Sequence, residues 1–215
     1  MPSIYDLKPR FQALLRPLTV RLAAAHVTAN QVTVAAAVLS GGVGACVAVF
    51  PESRWPLLIV PAFLFVRMAL NAIDGMLARE HGMKSDLGLV LNEIGDVVSD
   101  AALYLPFAMV PGVRPALVVS LVVLGIASEM TGVVAVQLGG QRRYDGPLGK
   151  SDRAFLFGLI GFLLGCGVEP DWWLDWLLLA ATALSAFTSV NRAHRALRSI
   201  ATEKGESASD NPDSK

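Results

Sequence analysis

Long apolar runs alternate with short polar breaks along most of the chain. A helix that crosses a bilayer needs about 20 mostly apolar residues, and this criterion predicts six spans. They cover residues 29–50, 55–78, 87–110, 114–138, 152–168 and 172–191. The fifth is short and contains Gly158, Gly161 and Gly165, a spacing that favours close helix packing in lipid. The pattern predicts an all-α integral membrane protein with a transmembrane domain at residues 29–199.

The segment before the first span, residues 1–28, is amphipathic. Its larger apolar residues recur at helical spacing: Ile4, Leu7, Phe11, Leu14, Leu15, Leu18 and Leu22. Basic residues such as Arg16 and Arg21 occupy other faces and interrupt the apolar core that a cleaved signal peptide needs. We therefore predict an interfacial helix that lies on the membrane and stays on the chain.

Residues 200–215 differ in composition from everything before them. They are rich in Glu, Lys, Ser and Asp and contain no apolar residue larger than Ala. Such a composition does not bury enough apolar surface to form a packed core. We predict a disordered cytoplasmic tail.

Charge placement indicates how the chain is oriented. The 18 Lys and Arg residues balance 18 acidic residues, so net charge gives no reason to expect a nucleic-acid partner. With the N-terminus cytoplasmic, fourteen of the 18 basic residues fall on that side, whereas only Arg54 and Arg114 fall on the other. This bias predicts a protein of a bacterial-type inner (plasma) membrane with both termini in the cytoplasm.

The two cysteines, Cys46 and Cys166, lack the spacing of a metal or redox motif. We interpret them as small packing or lipid-facing residues. A disulfide between them is the alternative that the sequence leaves open.

Two polar stripes stand out inside the apolar pattern. On the second predicted span, an arc of about 60° at 100° per residue holds Arg67, Asn71, Asp74 and Ala78. On the third, an arc of about 120° holds Asn92, Glu93, Asp96, Ser99 and Asp100. Only a short turn, from Glu80 to Ser85, joins the two spans. We therefore predict antiparallel helices whose stripes face each other at their cytoplasmic ends.

Charged residues at membrane depth are costly, so such stripes are candidate functional sites. Facing carboxylate and amide oxygens suit a hard divalent cation, either Mg2+ or Mn2+, which pairs naturally with a substrate phosphate. An alternative is a buried ionic network, with Arg67 and Glu129 as members, that only stabilises helix packing. The stripes alone do not distinguish these two interpretations.

The order and spacing of eight residues in this region resemble a known signature. It is that of the CDP-alcohol phosphatidyltransferase (CDP-alcohol phosphotransferase) family, D-x-x-D-G-x-x-A-R, eight residues, then G-x-x-x-D-x-x-x-D. The matching residues are Asn71, Asp74, Gly75, Ala78, Arg79, Gly88, Asn92 and Asp96. Thr28, Asn30 and Thr33 also resemble the T-x-N-x-x-T pattern at the start of the family's first span. The departures are Asn71 and Asn92, which stand where the family has its first and third aspartates.

This resemblance implies specific roles for the signature residues. Asp74 and Asp96 would bind a pair of metal ions, with Asn71 and Asn92 as neutral contributors, and Asp96 would also act as the general base. Glu93 and Asp100 share a face with Asp96 and are candidates to restore the missing negative charge.

The resemblance also implies where substrates bind. The residues implied for the CDP moiety are Asn30, Asp74, Gly75, Ala78, Arg79 and Gly88. The residues that could bind an acceptor or a phosphate are Arg142, Arg143, Lys150, Arg153, Arg192 and Arg195. For this basic group, the positive-inside bias is a sufficient alternative explanation.

The activity implied is transfer of a phosphatidyl group from CDP-diacylglycerol to a polar alcohol, with release of CMP. The implied partners are these two substrates, membrane lipid and a second copy of the chain in a homodimer. A catalytically silent family member that binds CDP-lipid or metal, or serves as an interaction subunit, is the main alternative. A transporter or channel is a weaker one, because the polar patch is confined to one side of the membrane. The sequence does not identify the acceptor alcohol.

Overall fold

The computed structural model describes residues 4–137 and 146–209, with side chains over 9–137 and 146–198. These ranges contain helices and no β-strand, which confirms the all-α prediction. The helices are α1 (Ile4–Ala24), α2 (Ala29–Val49), α3 (Arg54–Glu80), α4 (Asp86–Tyr104), a 3-10 helix (Leu105–Met109), α5 (Pro115–Gln137), α6 (Lys150–Gly165) and α7 (Trp172–Ser209).

Four of these helices are long and apolar enough to cross a membrane. They are α2, α3, α5 and the part of α7 from Trp172 to Arg198. The other two predicted spans correspond to α4, which carries four acids within 19 residues, and to α6, which has only 16 residues. The count of six spans therefore stays a prediction.

The boundaries of two predicted segments differ from the structure. The third predicted span, 87–110, contains α4 only to Tyr104 and then a 3-10 helix, where Pro106 lacks the N–H that a continuing α-helix would need. The last helix, α7, covers residues 200–209 of the predicted tail. Residues 210–215 lie outside the described residues, so disorder of the tail stays a prediction. Both Cys46 and Cys166 are free thiols, in line with the packing interpretation.

Two polar caps explain why α2 and α4 begin where they do. Thr28 accepts a hydrogen bond from the Gln31 backbone N–H at 3.2 Å, and Gln31 Oε1 accepts one from the Thr28 N–H at 2.9 Å. This reciprocal pair is a capping box. At α4, Ser85 Oγ accepts from the Gly88 N–H at 3.0 Å, and Asp86 in the first turn complements the helix dipole.

The chain divides into two compact units. The first comprises residues 1–111 and 157–168, and the second comprises residues 112–156 and 169–215. In the first unit, α2 packs against both α3 and α4, and α1 packs against α3. In the second unit, α5 packs against α7. All signature residues at positions 71–96 belong to the first unit.

Small and aromatic residues fix the packing of the first unit. Gly44 of α2 lies so close to α4 that an added Cβ would collide with the Ala102 carbonyl. Further along, Tyr104 stacks on Phe157, with ring centroids 4.2 Å apart, and Phe107 meets the same ring edge-on at 5.4 Å. Because the backbones of α2 and α4 approach so closely, the polar faces of these helices are held in a fixed register.

An apolar cluster supports the other end of this unit. Its buried members are Ala29 and Val32 of α2 and Ile73 and Leu77 of α3, and side chains of α1 pack against them. Because Ile73 and Leu77 lie on either side of Asp74 in the sequence, the cluster anchors the part of α3 that carries Asp74.

The first helix, α1, is also tied to α3 by an exposed ion pair. Arg16 donates Nε and Nη2 to the Glu80 carboxylate at 3.1 and 3.0 Å. The hydrogen bond from the Arg16 guanidinium to this carboxylate raises the pKa of Arg16. Arg16 therefore stays charged across the neutral pH range.

Candidate active site

The polar stripes of α3 and α4 face each other. Arg67 on α3 donates Nη1 to Asp100 Oδ1 on α4. One turn further along α3, Asn71 donates Nδ2 to Asp96 Oδ1 at 3.2 Å. Because residue numbers rise along α3 while their partners' numbers fall along α4, the two helices run antiparallel. This register confirms the predicted juxtaposition of the two stripes.

Asp96 receives contacts from two side chains of α3. Besides the bond from Asn71, the Nη2 atom of Arg67 donates to the Asp96 backbone carbonyl at 3.2 Å and lies 3.7 Å from Asp96 Oδ1. The Arg67 side chain is 4% exposed, whereas that of Asp96 is 26% exposed. Asp96 is thus a carboxylate held in place from one helix and still accessible, which is the arrangement that a general base requires.

Asp74 is buried and positioned by α2. Thr33 Oγ1 donates to Asp74 Oδ2 at 2.8 Å, and the same hydroxyl lies 3.1 Å from the Ala29 carbonyl. Sequence reasoning noted Thr33 only as part of a family pattern and gave it no role. Its spacing of three residues from Asn30 was the available signal, because that spacing places both side chains on one face of α2.

The same face of α2 meets the start of α4. Asn30 Nδ2 lies 3.5 Å from Ser85 Oγ, and an added Cβ at Gly88 would lie 2.7 Å from Asn30 Oδ1. A side chain at position 88 would therefore displace the Asn30 amide. Gly88 is explained by this close approach, and Asn30 and Gly88 are brought together as the resemblance implies.

Asn92 and Glu93 lie between Gly88 and Asp96 on α4, and both are half-buried. Asn92 is one turn from each of its signature neighbours, so Gly88, Asn92 and Asp96 lie along one line of the helix. Gly95 of the same helix contacts the Thr33 methyl group, since an added Cβ would lie 3.5 Å from it. This part of α4 therefore faces the residues that position Asp74.

Gly75, Ala78 and Arg79 lie near the end of α3 and differ in their surroundings. The Arg79 guanidinium folds back over Gly75, where an added Cβ would lie 2.9 Å from Nη2. Arg79 is exposed, and Ala78 packs on the apolar cluster between α2 and α3. A larger side chain at position 75 would displace the guanidinium, so this glycine shapes the position of a cation.

Glu93 and Asp100, the acids proposed to restore negative charge, differ in burial: Glu93 is half-buried and Asp100 is buried. Asp100 is 7% exposed and forms an ion pair with Arg67, whose positive charge offsets it. Arg67 thus takes part in a buried ionic contact of the kind that the network interpretation predicted. Glu129, the other predicted member, pairs with Arg153 and Arg192 in the second unit.

In the second unit, Glu129 of α5 is shared by two buried arginines. Arg153 Nη2 donates to Glu129 Oε1 at 3.1 Å, and Arg192 Nη1 donates to the same oxygen at 3.3 Å. Arg192 also donates to the Ser128 carbonyl at 3.0 Å, and Arg153 to the Leu148 carbonyl at 3.4 Å. These two candidates for acceptor binding thus connect α5, α6 and α7.

The remaining basic candidates are less enclosed. Lys150 is half-buried at the start of α6, and Arg195 is exposed on α7. Arg142 and Arg143 lie outside the described residues.

A divalent cation fits the chemistry of the signature donors. Asp74 and Asp96 supply carboxylate oxygens, and Asn71 and Asn92 supply amide oxygens, the hard ligands that Mg2+ and Mn2+ take. Among the described residues, no group of three or more His, Cys, Asp and Glu side chains could hold a metal. The two asparagines leave only two acids at the four signature positions.

Sequence comparison defines the class of protein to which this fold and site belong. The sequence model of the CDP-alcohol phosphatidyltransferase family matches residues 26–194. The chain therefore belongs to that family and is placed among transferases of this type.

Two kinds of relative accompany the family match. The chain is 44% identical over 197 residues to the inner membrane protein YnbA of Escherichia coli K12, an alignment that spans 91% of this chain and 96% of YnbA. It also shares its fold with phosphatidylinositol phosphate synthase (PgsA1) of Mycobacterium tuberculosis. The structure of that enzyme with CDP-DAG bound has a TM-score of 0.71 and 18% identity, over 84% of this chain and 92% of the other. A second structure of it, with manganese and citrate, has a TM-score of 0.69 over 84% and 88% of the two chains.

Proposed function

We propose that this protein transfers a phosphatidyl group from CDP-diacylglycerol to a polar alcohol and releases CMP. The observation that carries the proposal is the meeting of the two halves of the signature, where Asn71 of α3 bonds Asp96 of α4 at 3.2 Å. The family assignment supports the reaction class. The solved relative with CDP-DAG bound supports a CDP-lipid as the donor.

Asp96 is the proposed general base. An alcohol is a poor nucleophile, so its attack on phosphorus is assisted when a carboxylate takes the hydroxyl proton. The new bond joins the alcohol oxygen to the phosphorus that carries the diacylglycerol. The phosphoanhydride bond to CMP breaks, CMP takes the bonding electron pair, and the proton ends on Asp96. Arg67 and Asn71 hold the carboxylate toward the substrate and act as positioning residues.

The proposed CDP site uses Asn30, Gly88, Gly75, Ala78 and Arg79. The close approach of Asn30 to Gly88 places a side-chain amide beside the backbone at the start of α4. Arg79 is exposed and donates in a planar fork that suits phosphate oxygens. The small side chain of Ala78, next to Arg79, projects little from the helix surface.

A divalent cation, Mg2+ or Mn2+, would be held by Asp74 and Asp96, with Asn71 or Asn92 as neutral donors. When bound, it offsets the charge of the pyrophosphate and of the departing CMP. The solved relative in complex with manganese supports this type of ion. Glu93 is the compensating acid that we retain for this site, since Arg67 already offsets Asp100.

The proposed setting is the cytoplasmic face of an inner membrane. The E. coli relative is an inner membrane protein, and the distribution of basic residues favours cytoplasmic termini. We propose that α4 and α6 also span, as the third and fifth of six spans, because Asp96 and Asp100 of α4 bond side chains of α3. On this proposal α1 lies at the interface, and two chains form a homodimer.

The acceptor or its phosphate is proposed to contact Lys150 and Arg195. Arg153 and Arg192 would shape that pocket indirectly, because both are buried and bound to Glu129. The residues at 142 and 143 stay candidates on sequence grounds alone.

A catalytically silent, CDP-lipid-binding protein is the second candidate function. The observation that favours it is the direct bond between Asn71 and Asp96, together with the Arg67 cation 3.7 Å from the same carboxylate oxygen. Both contacts occupy a carboxylate oxygen that a catalytic site would offer to a metal ion.

The deciding experiment is CMP release by the purified chain. The assay supplies CDP-diacylglycerol, Mg2+ or Mn2+ and a panel of alcohols, among them glycerol phosphate, inositol phosphate, serine and choline. We expect release with one acceptor and its loss in Asp96→Ala. If no acceptor gives release above that variant while CDP-diacylglycerol still binds, the enzyme proposal is wrong and the silent binder is correct.

A further inference from the structure

We propose that the signature site holds one divalent cation, and that Asn71 and Arg67 take the place of a second. The inference rests on the proposed function, since it concerns the metal of the same site. It starts from a contact that an aspartate at position 71 could not make.

The side chains of Asn71 and Asp96 bind each other directly. Asn71 Nδ2 is a donor and Asp96 Oδ1 an acceptor, and the two lie 3.2 Å apart. Two carboxylates at these positions would repel each other and would need a cation between them. The amide removes that need, because it supplies the positive end of the interaction itself.

Arg67 adds a fixed positive charge on the same carboxylate oxygen. Its Nη2 atom is 3.7 Å from Asp96 Oδ1, and its Nη1 atom bonds Asp100. A guanidinium cannot lose its proton in a protein, and this one is 4% exposed, so solvent screens it little. One oxygen of Asp96 is therefore already paired with a donor and a cation.

The charge balance then favours one ion. Asp74 and Asp96 carry the only formal negative charges at the four signature positions, and one divalent cation neutralises both. Two divalent ions, which in paired sites lie about 3.5–4 Å apart, would leave two positive charges that Asp74 and Asp96 do not offset. The single ion would be held by Asp74, Asp96 and the amide oxygen of Asn92.

The test is the stoichiometry of Mn2+ binding to the purified, chelator-treated full chain in detergent. Calorimetry counts the ions, and electron paramagnetic resonance distinguishes an isolated Mn2+ from two coupled ions, whose spectrum is broadened. We expect one ion per chain with an isolated spectrum. The matched variant Asn71→Asp/Asn92→Asp restores both carboxylates, and we expect it to bind a second ion with the coupled spectrum.

The proposal is overturned if the unaltered chain binds two ions, if it binds none, or if the double variant binds one ion like the parent. Size-exclusion chromatography reports whether that variant folds. If it does not, the stoichiometry of the unaltered chain still decides.

CMP release, measured on the same preparations, separates this inference from the proposed function. One bound ion without turnover of any acceptor refutes the enzyme and leaves the stoichiometry intact. Two bound ions with turnover refute the stoichiometry and leave the enzyme intact.

Discussion

The buried ion pair between Arg67 and Asp100 offers a quantitative test of how α3 and α4 are held together. The two side chains are 4% and 11% exposed, so water screens their interaction little. Replacing Arg67 with Met keeps an unbranched apolar stem but removes the guanidinium and its charge. The variant leaves Asp100 buried without its cation and also removes the donor to the Asp96 carbonyl.

The size of the effect follows from this burial. Two unit charges about 3 Å apart attract by about 5 kcal/mol at an effective dielectric constant of about 20. Desolvation of both groups offsets part of this attraction, and breaking a buried pair from one side typically costs about 3–5 kcal/mol. We expect such a loss for Arg67→Met and for Asp100→Asn. The double variant should lose less than the sum, with a coupling energy of about 2–3 kcal/mol.

The free energy of unfolding can be measured by titration with SDS in mixed micelles, followed by circular dichroism. The control is the cycle of Arg16→Gln and Glu80→Gln, an exposed pair whose coupling we expect to be far smaller. If the two buried substitutions are additive within about 0.5 kcal/mol, the α3–α4 register described above is wrong.

Three further substitutions test separate parts of the structure. Gly44→Ala places a Cβ against a carbonyl of α4 and should lower the free energy of unfolding by about 1–3 kcal/mol, whereas Gly42→Ala, with open space around it, should not. Thr33→Val removes the hydroxyl that bonds Asp74 and should weaken Mn2+ binding roughly 10- to 100-fold, while Thr33→Ser should retain the affinity. Equal affinities in both variants would contradict a role for the hydroxyl. Glu129→Gln leaves two buried arginines without their carboxylate and should cost about 3–5 kcal/mol of stability, which thermal melting in detergent would detect.

The apolar pattern was sufficient to place the helices of this protein. Runs of about 20 apolar residues can only be helices in lipid. The predicted positions of α2, α3 and α5 therefore agree with the structure to within a few residues at both ends, and the prediction for α7 agrees at its start. The end of the third predicted span was missed because its apolar run continues past Pro106, where the helix becomes 3-10. Hydropathy describes side chains and carries no information about the backbone N–H that Pro106 lacks.

The candidate site was predictable to the level of the helix face. Helical spacing brought Asn71 and Asp96 to facing stripes, and the structure joins them. Helical spacing did not predict Thr33 as the partner of Asp74, because that contact crosses from α2 to α3 over 41 positions of sequence. The same limit applied to Glu129, whose two arginine partners lie 24 and 63 positions away.

The sequence by itself therefore determined the class of fold, the family signature and the two asparagines at its first and third aspartate positions. These are local properties, fixed by periodicity and by spacing within one helical hairpin. Only the tertiary structure decided which charges meet: Arg67 with Asp100 and Asp96, and Arg153 and Arg192 with Glu129. A charge in a low-dielectric interior must find a partner, but which partner it finds depends on helix packing, and the spacing of residues along one helix does not contain that information.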